Sequence, residues 1–137
     1  MKQDDYLLNQ IDLLGKVLAK IIALLLRRKN ENEVFEINQI SLQTSEHEAP
    51  IKIIDLLELP NSELIEFLTI RNFKVHHIEK LGELFYLLSN DNSNTINCLE
   101  KSLILYNYAQ NHSLTYSSER VKRITKIKVE LATNDSI

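Results

Sequence analysis

The stretch Lys74–Asn111, KVHHIEKLGELFYLLSNDNSNTINCLEKSLILYNYAQN, reads as two amphipathic helices joined by a polar turn. In its first half Ile78, Leu81, Phe85 and Leu88 recur at three- and four-residue steps, and in its second Ile96, Leu99, Leu103 and Tyr106 repeat the spacing. Such spacing lines each set along one face of a helix. Between them, Ser89–Asn94 consists of Ser, Asn and Asp, residue types that tolerate left-handed backbone and bond their own main chain. The two apolar faces are therefore expected to close on each other as an antiparallel hairpin. Small residues at Gly82, Ser102 and Ala109 let the backbones come close. A glycine inside a helix costs up to about 1 kcal/mol against alanine, so Gly82 implies a packing reason.

Upstream, Asp4 to Lys29 is expected to form one long helix. Asp4 and Asp5 place a cap and negative charge at its start, and Arg27, Arg28 and Lys29 place positive charge at its end, as the helix dipole prefers. Leu7, Ile11, Leu14, Leu18, Ile21/Ile22 and Leu25 make an apolar stripe that Leu8, Leu13, Val17, Leu24 and Leu26 widen. Asp12, Lys16, Lys20 and Arg27 hold a narrow polar face, with Asp12–Lys16 spaced as an i,i+4 pair. A helix this apolar calls for cover on more than one side, from the hairpin or from a twin helix in a homodimer. Its longest uninterrupted apolar run, Ile21–Leu26, is six residues against the roughly 20 a membrane span needs. The acidic remainder of the chain disfavours docking on anionic lipid.

After a turn at Asn30–Asn32, a helix is expected over Glu31–Glu48, ended by Pro50. Val34, Ile37 and Ser41 share one face with Ile40 beside it, a thin stripe suited to an outer position. FEINQISLQ also carries partial two-residue alternation, which leaves a strand over 34–43 as the alternative; helix is preferred because no second strand is evident to pair with it. Ile51–Leu59 reads as about two helical turns closed by Pro60, and Asn61 or Ser62 as the cap of Glu63–Ile70, with Leu64, Phe67 and Leu68 inward. Downstream of the hairpin, His112–Tyr116 reads as a turn and Ser117 or Ser118 as the cap of a last helix through about Leu131. Its apolar stripe is Val121, Ile124, Ile127 and Leu131. Thr133–Ile137 is expected to fray, as are residues 1–3.

Composition agrees with this helical reading. The 137 residues are 44% hydrophobic and 26% charged, with two Gly and two Pro, a balance that supports one globular domain over 1–137 and favours helices over a turn-rich sheet. The expected fold class is all-α, a compact array of six or seven helices. Cys98 is the single cysteine, so no internal disulfide forms and no several-cysteine metal site exists. MKQDDYLLNQ lacks the basic start and apolar run of a secretory signal, and a cytoplasmic location is expected. The net charge of −3 predicts no bulk attraction to nucleic acid. That average hides an uneven spread: residues 31–66 hold one Lys against nine acids, while residues 1–30 hold six basic against three acidic groups.

The hairpin resembles a tetratricopeptide repeat. Leu81-Gly82-Glu83-Leu84-Phe85 is similar to the L-G-x-x-Y core of that motif's first helix, and Leu99-Glu100-Lys101-Ser102-Leu103 to the F-x-x-A-L segment of its second. The likeness covers about one repeat and departs from it in a longer turn, in Ser102 where Ala is usual, and in lacking the closing Pro. The order DYLLNQIDLLGKVLAKII, a Leu-rich segment, ELIEFL and the hairpin also resembles a bacterial family of small repeat-like helical proteins with no known activity attached. That resemblance implies a compact helical protein and a dimer through the N-terminal helix. In repeats of this kind the first helix supplies the ligand-facing surface, which implies a partner-binding face at His76, Glu79, Lys80, Glu83 and Tyr86.

Other chemistry finds little support. His76, Glu79 and Glu83 share a helical face, but adjacent His76 and His77 point about 100° apart and HExxH is absent, so these histidines read as a partly exposed helix start and no metal is expected. Cys98 reads as a buried thiol, with neither a glycine-rich helix start nor a histidine partner to activate it. No phosphate-cradling glycine loop occurs, and neither cofactor nor catalytic residues are expected. Arg120, Lys122, Arg123 and Lys126 form a candidate basic patch on the last helix, broken by Glu119 and Glu130 and without interleaved aromatics. A non-enzymatic protein-interaction or scaffold module is the expected function. The alternative is nucleic-acid or membrane-surface association through the basic terminal helices.

Overall fold

The computed structural model describes residues 2–30, 37–44, 47–90 and 94–135. The chain runs α1 (Lys2–Asn30), a 3-10 turn (Ile37–Gln39), β1 (Ser41–Leu42), β2 (Ile51–Lys52), α2 (Ile53–Glu58), a second 3-10 turn (Asn61–Glu63), α3 (Leu64–Ile70), α4 (Val75–Leu88), α5 (Thr95–His112) and α6 (Ser118–Asp135). It is mostly helical, with one small two-stranded sheet.

Helices α4 and α5 form the centre. Ile78, Leu81, Phe85 and Leu88 are all fully buried, as the spacing predicts. On α5 the stripe is displaced in part: Leu99 and Tyr106 are buried as expected and Leu103 is half-buried, but Ile96 is 42% exposed, and Cys98, Ser102, Leu105 and Ala109 form a second buried row. The displacement follows from the backbones' closest approach. The Ser102 hydroxyl donates to the Gly82 carbonyl at 2.7 Å, and a Cβ on Gly82 would lie 3.1 Å from the Tyr106 ring and 3.3 Å from Leu105 Cβ. Gly82 therefore has the packing reason its helical cost implies.

Beneath the hairpin, α1 packs chiefly on α4 and buries Leu14, Leu18, Ile22 and Leu25. Each such side chain contributes about 1.5–3 kcal/mol when fully withdrawn from water. Leu24 and Leu26, expected to widen the buried stripe, are 38% and 46% exposed, so among the described residues α1 is covered on one side rather than several. The Asp4–Asp5 cap, Leu7, Leu8, Ile11, the Asp12–Lys16 pair and the charges of Arg28 and Lys29 rest on side chains outside the described residues, as do residues 31–36. Helix α1 begins at Lys2, and α6 continues through Asp135. At the latter end the Thr133 hydroxyl donates to Val129 O at 3.0 Å and Asn134 Nδ2 to Glu130 O at 2.9 Å.

The expected helix over Glu31–Glu48 is corrected. Ser41 pairs with Lys52 and Leu42 with Ile51 in an antiparallel ladder, and Ile53 N–H donates to Ile40 O at 3.0 Å. Ile40 and Leu42 are buried while Ser41 is exposed, so the two-residue alternation in FEINQISLQ is a strand signal. Its partner lies in the first two residues of what reads as the next helix, and α2 starts at Ile53.

Neither Asn61 nor Ser62 caps α3 with its side chain. Asn61 is drawn into a polar cluster on α5 instead. The Lys101 ammonium, in a residue only 1% exposed, donates to Leu59 O at 2.6 Å and to Asn61 Oδ1. Asn61 Nδ2 donates to Glu100 at 3.0 Å and Asn97 Nδ2 to Leu57 O at 2.9 Å. Carbonyls at the end of α2 that have no intrahelical partner are thus satisfied from α5. Burial draws the Lys101 ammonium below the usual lysine value, while Glu100 and Cys98 oppose the shift.

Helix α3 ends on Asn72, whose φ of 64° is the left-handed conformation Asn adopts more readily than most residues. Asn72 N–H donates to Thr69 O and Phe73 N–H to Leu68 O, each at 3.1 Å, the paired bonds of a Schellman stop. Phe73 is buried behind it. This stop turns the chain from α3 into α4.

Candidate functional site

Helix α6 closes over the side of the hairpin away from the main core. Ile124 and Ile127 seat among Leu99, Tyr106 and Tyr86, with Leu103 and Leu131 at the margin. The Ser117 hydroxyl accepts the Arg120 backbone N–H at 3.2 Å, an N-terminal cap of the kind the Ser-Ser pair predicts. Capping places Arg120 in the first turn of α6, 5% exposed. Its guanidinium donates to Gln110 Oε1 at 3.0 Å and, across to α4, to Glu79 Oε1 at 3.1 Å. Longer contacts reach Thr115 O and Ser113 Oγ, both at 3.4 Å. Arg120 thereby ties the α5–α6 connection to α4, although its buried Nε has no partner among the described residues.

Beside this tie lies a cleft of about 300 Å³ between α4 and α6. It is lined by His76, Glu79, Lys80 and Glu83 from α4, Tyr106 from α5, and Ser117, Glu119, Arg120 and Arg123. Both charge signs face it. Tyr106 is 5% exposed; its burial raises the phenol far above the usual tyrosine range, Arg123 pulls the other way, and Glu83 and Glu79 add to the rise. The hydroxyl therefore keeps its proton and can donate as well as accept. Among the described residues it has no hydrogen-bond partner.

No protein-family model, curated protein or solved structure matches this chain.

Four of the five residues expected on a partner-binding face, His76, Glu79, Lys80 and Glu83, line the cleft. Tyr86 does not. It is 5% exposed because α6 lies across it: the Arg123 guanidinium stands 4.1 Å from its ring centre, Lys126 Nζ stands 5.7 Å away, and its hydroxyl donates to Glu130 at 2.9 Å. Arg120 likewise leaves the candidate basic patch, being buried and ion-paired with Glu79. Lys122 and Lys126 remain exposed, and Arg123 is half-buried.

His77 is 1% exposed rather than part of an open helix start. Its Nδ1 accepts the Lys74 N–H at 3.0 Å, which requires that nitrogen to be unprotonated, and its ring edge packs beside Gly15 of α1. His76 is exposed, its ring centre 4.0 Å from that of His77. Among the described residues no three or more His, Cys, Asp or Glu are grouped to hold a metal ion. Cys98 is buried and forms no disulfide. No described helix is long and apolar enough to cross a membrane.

Two groups escaped the sequence reading. Tyr106 stands in the expected apolar stripe, and periodicity carries no signal that its hydroxyl opens into a cleft. Lys101 sits beside that stripe as an ordinary helix-surface charge, and only the approach of the α2 end makes it buried.

Proposed function

We propose that the protein is a non-enzymatic interaction module, a helical scaffold whose partner docks at the mouth of the α4–α6 cleft. The observation that carries this reading is the cleft itself, in which Glu83, Glu119, Lys80 and Arg123 present charges of both signs without the Glu79–Arg120 type of closure. Polar, mixed-charge surfaces of this kind suit a partner loop or peptide. The tetratricopeptide-like reading of α4–α5 is supported by the tight Gly82–Ser102 approach, where repeats of that kind use small residues. The buried thiol of Cys98 is in keeping with a reducing cytoplasm. Affinity capture from the native host tests the reading. A partner held by the wild type should be lost from a folded Lys80→Glu/Glu83→Lys variant, and retention of the same proteins by both would sink it.

The second reading is nucleic-acid or membrane-surface association through the basic terminal helices. It draws on the exposed Lys122, Lys126 and Lys128 of α6 and on Lys16, Lys20 and Arg27 of α1, but no longer on Arg120. Low-salt retention on heparin that disappears when Lys122 and Lys126 are neutralised would favour it. A homodimer through α1 draws on the open Ala19, Ala23, Leu24 and Leu26. Light scattering that returns a monomer mass at micromolar concentration would remove it.

A further inference from the structure

The cleft between α4 and α6 combines three features that packing alone does not require. The first is an unspent hydroxyl: Tyr106 is 5% exposed, lines the cleft and has no hydrogen-bond partner among the described residues. The ring is buried but the hydroxyl oxygen stays open to the cleft, where phenylalanine would leave no hydrogen-bonding group. The second is balanced charge outside any ion pair, with the Arg123 guanidinium held over the Tyr86 ring at 4.1 Å. Glu79 and Arg120 close on each other at 3.1 Å, which leaves Glu83 opposed to Lys80 and Arg123 with no hydrogen bond or ion pair among the described residues. The third is size. About 300 Å³ lies at the small end of ligand sites.

A ligand of one sign leaves half of this lining unanswered. A lone anion would meet Lys80 and Arg123 but bring its charge against Glu83 and Glu119, and a lone cation would do the reverse. An apolar ligand would strip water from all four and return no hydrogen bonds. A group carrying both charges a few ångströms apart answers both sets. We propose that the cleft is a receptor for a small zwitterionic group, its ammonium seated between the Glu83 carboxylate and the Tyr106 hydroxyl oxygen, its carboxylate facing Lys80 and Arg123. The source of such a group is either a free amino acid or neighbouring basic and acidic side chains on a partner's peptide. This inference rests on the cleft being the protein's binding face and names what that face recognises.

The test uses the full chain and two kinds of probe, L-alanine as a free zwitterion and a lysyl-glutamate dipeptide with blocked ends, followed by backbone amide shifts at millimolar probe. Blocked lysine and blocked glutamate, each singly charged, serve as comparison probes. One zwitterion should move amides of α4 and of the first turns of α6 more strongly than either singly charged probe. Binding of alanine identifies the free amino acid as the source, and binding of the dipeptide alone identifies a peptide.

Tyr106→Phe should weaken that binding about tenfold, the loss expected for one hydrogen bond to a charged group, without lowering the thermal midpoint. Glu83→Gln should weaken it by a similar factor, while Lys52→Ala, an exposed change in β2, should leave it intact. Equal response to a singly charged probe, no response to any probe, or a Tyr106→Phe variant that binds normally overturns the proposal. If zwitterion binding fails while a captured partner still depends on Lys80 and Glu83, this inference falls and the interaction reading stands.

Discussion

The two sides of the α4–α5 hairpin are built on different principles. Toward α1, β1, α2 and α3 the hairpin faces a continuous apolar core that includes Leu18, Leu42, Ile53, Leu56, Leu64, Leu68, Ile78, Leu81, Leu84, Phe85 and Leu88. Toward α6 the buried apolar cluster among the described residues is Tyr86, Leu99, Tyr106, Ile124 and Ile127, and polar ties supplement it: Arg120 to Glu79, Tyr86 to Glu130, and Arg123 over the Tyr86 ring. Apolar area is non-directional and fills space. Directional ties hold a helix at chosen points and leave gaps between them, and the cleft is one such gap.

The contrast is broken most directly from the deep side. Phe85 is fully buried, so Phe85→Ala should cost about 3–5 kcal/mol, and denaturant titration should show the whole described structure failing in one transition. A matching deletion on the other side, Ile127→Ala, removes a fully buried side chain from the smaller cluster. We expect about 2–4 kcal/mol, with hydrogen exchange accelerating first along α6 and only later in α4. Uniform acceleration across both helices would mean that α6 belongs to the same cooperative unit as the main core.

Smaller effects sharpen the comparison. Replacing Arg120 with Met removes the ties to Glu79 and to Gln110; about 1–3 kcal/mol is expected. Because the Arg120 guanidinium is buried, added salt should recover or erase little of that difference. A strong salt dependence would place the pair effectively in water. The smallest effect belongs to the α3 stop on the deep side. Asn72→Ala forces an ordinary residue into a left-handed conformation and should cost about 1 kcal/mol, whereas Asn72→Gly should stay within a few tenths. Equal costs would mean the Asn72 side chain, and not its φ, matters.

Much of the helical layout was legible from residue spacing. The stripe Ile78, Leu81, Phe85, Leu88 and the Ser117 cap follow from periodicity and local hydrogen bonding, which act over a few residues and leave a trace in the sequence. Four of the five expected face residues also came together at the cleft, since they share one helix face. Ile96, Tyr86 and Arg120 read differently because their burial depends on where a second or third helix lands. The strand at Ser41–Leu42 was missed for a related reason: a two-residue strand is too short for a period, and its partner is ten residues away in what local propensity favours as helix.

The sequence by itself therefore determined the long helices α1, α4, α5 and α6 and which face of α4 carries His76, Glu79, Lys80 and Glu83, because those properties arise from interactions within about one helical turn. Only the tertiary structure decided that Lys101 is buried, that Arg120 is spent on Glu79, and that the Tyr106 hydroxyl opens into a cleft without a partner. Each of these depends on contacts between residues distant in the chain, whose mutual position no local pattern encodes.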